Sequence, residues 1–173
     1  MNKFSMTSKM CNAVVGMIIL CSIISGCSDM NENGGDAPVR VSSEVQDEVE
    51  GVSSSILNIL SLKAKTTEAG AMVTSCEGGN YRAHHPWSLY GASSEELGNA
   101  MGKLRSQLPA KGWEIVKDGP DDTQARNAQI IADSPGGDFS LNARLHEERN
   151  GNPAQLEVTV QSACFRPEST ATS

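Results

Sequence analysis

Within residues 43–62, Val45, Val49, Val52, Ile56 and Leu60 recur at spacings of four, three, four and four, which places them on one face of an α-helix. Ser43, with Gln46 three residues on, has the spacing of a capping box at its start. A second helix is predicted from Ser93, where Glu96 completes another such box and Leu97, Ala100, Met101, Leu104 and Leu108 form the apolar stripe. Pro109 and Gly112 are expected to close it. Gly98 and Gly102 lie on one side of this helix, where they suggest close packing on a sheet.

Elsewhere the apolar residues alternate with period two, as in strands with one buried face. Met72, Thr74 and Cys76 share one face of a short strand, and Trp113, Ile115 and Lys117 follow the second helix. Residues 128–132 are another short run; Phe139, Leu141, Ala143 and Leu145 then alternate, as do Leu156, Val158, Val160, Ser162 and Cys164. Turns are expected at 133–138, with Pro135, Gly136 and Gly137, and at 149–153, with Asn150–Gly151. Residues 81–90 read as extended, although Pro86 limits a regular ladder. The last three strands should form an antiparallel meander with Cys164 on the face of Leu156 and Val158. The expected fold is α+β, a two-layer domain over residues 43–167 with about two helices on one face of an antiparallel sheet.

The 173 residues include only 4% aromatic side chains, enough for one modest core. With 14 Lys and Arg against 21 Asp and Glu, the chain carries a formal charge of −7. That balance argues against nucleic-acid binding, which needs a clustered basic surface. Polytopic membrane insertion is excluded by composition.

The N-terminal pattern is different in kind. Lys3 and Lys9 precede an apolar run over residues 13–24, broken only by Gly16 and Ser22. This is the layout of a bacterial export signal over residues 1–26, too short for an ordinary membrane-spanning helix. Ile24, Ser25, Gly26 and Cys27 resemble the lipobox of bacterial lipoproteins, with Ile24 in place of the usual leucine. The resemblance implies a diacylglyceryl group on the Cys27 thiol, cleavage after Gly26, and a partner in the membrane through that covalent lipid. The product would sit on the extracytoplasmic face of the cell membrane. Cleavage removes two lysines and leaves 12 basic against 21 acidic residues, a formal −9. Residues 27–42 read as a flexible acidic tether, and residues 168–173 as a loose polar tail.

Of five cysteines, Cys11 and Cys21 would leave with the signal and Cys27 would carry lipid. Cys76 and Cys164 remain, and two thiols in an exported domain are expected to pair. A redox-active pair would need the close spacing of C-x-x-C, which is absent.

Motifs of known chemistry are scarce. His84 and His85 point to opposite faces of an extended chain and cannot share a metal without a bend. His146–Glu147 begins like H-E-x-x-H, but position 150 is asparagine. Asp118, Asp121 and Asp122 surround Gly119–Pro120 and read as turn formers. No metal or cofactor is expected. The segment His85-Pro86-Trp87-Ser88-Leu89-Tyr90-Gly91 is the most distinctive one. Trp87 and Tyr90, with Tyr81 and His85, are either core under the second helix or an exposed binding patch.

The order of Cys76, the 85–91 segment, the second helix, Leu108-Pro109 followed by Gly112-Trp113, and Cys164 resembles small uncharacterised lipoproteins of actinobacteria across the mature domain. These motifs are structural and carry no catalytic residue. The expectation is a non-catalytic, lipid-anchored envelope module that binds an envelope protein or a small ligand. The alternative is a small envelope hydrolase whose site gathers distant residues such as His85, His146 and a carboxylate.

Overall fold

The computed structural model describes residues 37–67 and 70–168. The signal segment, Cys27 and the tether as far as residue 36 lie outside the described residues, as does the tail beyond residue 168. In chain order the elements are β1 (Val39–Arg40), α1 (Ser42–Leu60), β2 (Lys65–Thr66), β3 (Met72–Ser75), β4 (Tyr81–Tyr90), α2 (Ser94–Ala110), β5 (Glu114–Pro120), β6 (Ala128–Asp133), β7 (Phe139–His146), β8 (Gln155–Ser162) and β9 (Arg166–Pro167).

Seven strands form one sheet in the order β2-β4-β8-β7-β6-β5, with β3 also paired to β4, and every pairing in it is antiparallel. Both helices pack on one face, α1 over β4 and β8 and α2 over β5 and β7. This is the expected α+β two-layer domain, and β6, β7 and β8 make the expected meander. β1 and β9 form a separate parallel pair. The Arg166 backbone N–H donates to Pro38 and that of Glu168 to Arg40. Strand pairing thus includes residues 38–40, within the stretch read as tether.

The apolar stripes explain the core. Val45, Val49, Ile56, Ile59 and Leu60 of α1, and Leu97, Ala100, Met101, Leu104 and Leu108 of α2, are buried against Leu141, Ala143, Leu156, Val158 and Val160 of the sheet. Ser53 takes the central buried place on α1, and Val52 only flanks it.

Capping divides the two helices. At α2 the expected box is present: the Glu96 N–H donates to Ser93 Oγ at 3.2 Å and the Ser93 N–H to Glu96 Oε2 at 2.9 Å. The Ser93 backbone N–H first, and then the Ser93 hydroxyl, which also donates to Glu96 Oε2 at 2.9 Å, hold the Glu96 carboxyl below its ordinary pKa. At α1 the expected box is not formed; Val41 precedes the helix and offers no side-chain cap. Gln46 is engaged elsewhere, donating to the Ala71 carbonyl at 2.7 Å, while Glu50 one turn on accepts the Ala71 N–H at 2.8 Å. The two side chains clasp both backbone polar groups of a single residue, Ala71, ahead of β3.

Pro109 lies inside the last turn of α2 rather than ending it. The stop comes at Gly112, whose φ of 83° suits glycine, with the Trp113 N–H donating to Leu108 and that of Gly112 to Pro109. Gly98 and Gly102 do not serve close packing, because a Cβ at either would meet nothing within 4 Å.

Pro86 is tolerated within a ten-residue strand for a directional reason. The Ala83 N–H donates toward β8, to Ser162 Oγ, and the Ser88 N–H toward the opposite edge, to Thr67 Oγ1. Backbone alternation turns position 86 to that second edge, in the gap between the end of β3 at His84 and the start of β2 pairing at Leu89. No ladder bond is lost there.

Candidate functional site

The sheet has one covered face and one uncovered face, and strand alternation assigns every residue to one of them. On β4, Ala83, Trp87 and Leu89 are buried on the helix side. Arg82, His84, Pro86, Ser88 and Tyr90 face the other way, beside Gln155, Glu157, Thr159 and Gln161 of β8.

The Cys76–Cys164 disulfide is formed across a sequence separation of 88, with a Cα–Cα distance of 6.3 Å. It is not on the face of Leu156 and Val158, as the alternation had suggested. β3 ends at Ser75 and β8 at Ser162, so both cysteines lie beyond their strands. Their sulfurs sit against Arg82 on the uncovered face, with Nε 3.0 Å from Cys76 Sγ and Nη2 3.5 Å from Cys164 Sγ. The core place near this end is taken by Phe165, 1% exposed, whose backbone pairs with Tyr81. Met72 and Thr74 likewise face outward, and Val73 packs on the core.

The aromatic residues of the distinctive segment are dispersed. Trp87 is 4% exposed, under the first helix and not the second. Tyr81 and Tyr90 are exposed at opposite ends of β4, so Tyr81, His85, Trp87 and Tyr90 do not make one continuous patch. His85 lies on the helix side with Trp87, whereas His146 lies on the uncovered face, its Nε2 3.1 Å from Glu157 Oε2. The structure therefore does not bring His85 and His146 together.

The uncovered face carries a polar network absent from the sequence reading. Arg144 lies 3.1 Å from Asp121 Oδ2 and 3.7 Å from Glu157 Oε2. Gln129 Nε2 donates to Asn142 Oδ1, and Gln155 Nε2 to Ser88 Oγ. Asp121 is 1% exposed and organises the turn that follows β5. It accepts from the Thr123 hydroxyl at 2.7 Å and backbone N–H, and from the Asn127 backbone and side chain. The Thr123 hydroxyl bond leads these in pushing the carboxyl down to about 2, against a burial that alone would raise it. Asp118 instead pairs with Arg105 of α2, and Asp122 with Lys117. Among the described residues no group of three or more His, Cys, Asp or Glu could hold a metal ion.

A small recess lies on the covered face, among residues that carry buried polar atoms. A pocket of about 80 Å³ lies between α1 and β4, lined by Ser53, Leu57, Thr66, Thr67, His85 and Trp87. Ser53 is 3% exposed, and among the described residues neither its hydroxyl nor the Trp87 indole N–H has a hydrogen-bond partner. Ser53 was legible as a polar break in an aliphatic stripe, but the helical register had been drawn through Val52.

These features define a disulfide-bonded α+β domain with one polar sheet face. No protein-family model, curated protein or solved structure matches the chain. No helix among the described residues is long and apolar enough to cross a membrane.

Proposed function

We propose that the chain is a bacterial lipoprotein, held by acyl chains on Cys27 at the extracytoplasmic face of the cell membrane, whose α+β domain is a non-catalytic binding module. The observation that carries this reading is the Cys76–Cys164 disulfide. Such bonds persist in oxidising compartments outside the cytosol, which agrees with an export signal ending in Ile24, Ser25, Gly26 and Cys27. Two acyl chains suffice for stable attachment, at about 0.8 kcal/mol per buried CH₂. The separation of His85 from His146 across the sheet removes support from the hydrolase alternative.

The test is fractionation of the full-length chain expressed in a bacterium with lipoprotein maturation. Wild type is expected in the membrane fraction and labelled by an acyl-chain probe, with Cys27→Ala released and unlabelled. A Cys27→Ala protein that stays membrane-bound and labelled would overturn the anchor.

A further inference from the structure

Both sulfurs of the Cys76–Cys164 bond are in contact with a cation. Arg82 Nε lies 3.0 Å from Cys76 Sγ and Nη2 3.5 Å from Cys164 Sγ, and among the described residues no carboxylate forms an ion pair with that guanidinium. Glu77, which follows Cys76 in the chain, is exposed, so water and salt screen its opposing charge. A neutral disulfide gains little from a positive charge, whereas a thiolate gains a charge-assisted hydrogen bond. The arginine is therefore placed to serve the sulfur that is set free when the bond opens, because a stabilised thiolate leaves faster. Neither cysteine is buried, and both lie beyond the ends of their strands, against Arg82 on the face that no helix covers. Exposed disulfides are the more labile ones.

We propose that this disulfide is a site of thiol–disulfide exchange with a dithiol protein bearing a C-x-x-C site, and that Arg82 stabilises the leaving sulfur. A thiolate of the partner attacks Cys164 Sγ, the Cys76–Cys164 bond breaks, and its electron pair goes to Cys76 Sγ beside Arg82 Nε. The partner's second thiol, after losing its proton to water, attacks the mixed disulfide and releases the Cys164 thiolate. The partner is thereby oxidised to a disulfide and the Cys76–Cys164 pair is reduced by two electrons, the two protons lost by the dithiol being available to the two new thiolates. Separated by 88 positions, these cysteines receive electrons and do not catalyse exchange in other proteins as a C-x-x-C pair does. Reduction removes the covalent tie between the end of β3 and the segment after β8, so a redox change outside the cell membrane is converted into loosening of one sheet edge. The proposal concerns the domain alone, and its failure would leave the Cys27 fractionation result untouched.

The experiment uses the full-length chain in detergent micelles, carrying Cys11→Ala, Cys21→Ala and Cys27→Ala so that this pair supplies the only thiols. Reduction by dithiothreitol at pH 7 is followed by maleimide labelling and intact mass. The rate is expected to be unchanged by low urea, the mark of reaction in the folded state. Arg82→Met should slow reduction about tenfold, the loss of one charge-assisted bond, and Arg82→Lys should recover most of the rate. Loosened packing at position 82 would instead speed reduction, so a merely structural arginine predicts the opposite sign. A thioredoxin whose C-x-x-C site is changed to C-x-x-S should be trapped on Cys164, as located by peptide mass spectrometry. The trapping and the urea series leave Arg82 intact and so hold even where its variants do not fold. Reduction confined to the unfolded chain, equal or faster reduction of folded Arg82→Met, or a thioredoxin trapped on Cys76 or not at all would each overturn the proposal.

Discussion

The two halves of this sheet are covered by helices of similar length but held in different ways. Over β5, β6 and β7, α2 has a formed capping box and an unbroken aliphatic stripe. Over β4, α1 has no side-chain cap, a serine in the middle of its buried face, and edge strands of two and four residues. Discrete ties compensate there: the disulfide, the Gln46–Glu50 clasp on Ala71, and Lys103 of α2, whose ammonium donates to the carbonyls of Leu60, the last residue of α1, and of Ser61 just after it. A helix can be fixed by packing alone or by packing reinforced with a few specific bonds.

The largest expected effect tests the tied half. Replacing Cys76 and Cys164 together with alanine should cost about 4 kcal/mol for a loop of this length, read by urea unfolding. Hydrogen exchange should rise first in β3 and the start of β4. Uniform loosening of α2 and β5 as well would erase the proposed division. On the packed side, Leu104→Ala at a fully buried position should cost about 3 kcal/mol, also by urea unfolding. A value under about 1 kcal/mol would mean that α2 is not seated as described.

Acid should act on the packed half chiefly through Asp121, with the Glu96 cap of α2 a lesser contributor. The Asp121 pKa is depressed to about 2 from an ordinary 3.8. Its contribution is therefore complete above the ordinary value and disappears as pH falls through about 2. Melting temperature followed from pH 5 to 1.5 should fall more steeply in wild type than in Asp121→Asn across that window, and parallel curves would contradict the assignment. Ser93→Ala should cost about 1 kcal/mol, measured in the same urea assay. Smallest is Ser53→Ala, expected to leave stability unchanged or raise it by less than about 1 kcal/mol, because it deletes a buried hydroxyl with no partner. A clear loss would reveal a partner for that group and remove the contrast between the halves.

Much of the fold was legible because periodicity reports burial directly. The α2 stripe from Leu97 to Leu108 and the alternation in β7 and β8 are both realised as read. What escaped depends on contacts distant in sequence. Gln46 has capping spacing, but Ala71, 25 residues away, offers it a better-placed acceptor. Pro86 reads as a strand breaker until the gap between β2 and β3 is known. Cys164 continues the β8 alternation in sequence, yet the strand ends two residues earlier and the sulfur turns to the other side. The pairing of Cys76 with Cys164 was legible from the cysteine count together with the export pattern read in the sequence. The pocket was not, since an unpartnered serine differs from a satisfied one only in its surroundings.

The parallel pairing of β1 with β9 has a mechanical side. A tug on the chain ahead of Ala37 reaches the domain through the Arg166-to-Pro38 and Glu168-to-Arg40 backbone bonds and the Arg166 guanidinium bond to the Ala37 carbonyl before it reaches α1. The load is thus shared with the far end of the polypeptide, and the first helix is shielded from being unravelled at its unprotected start.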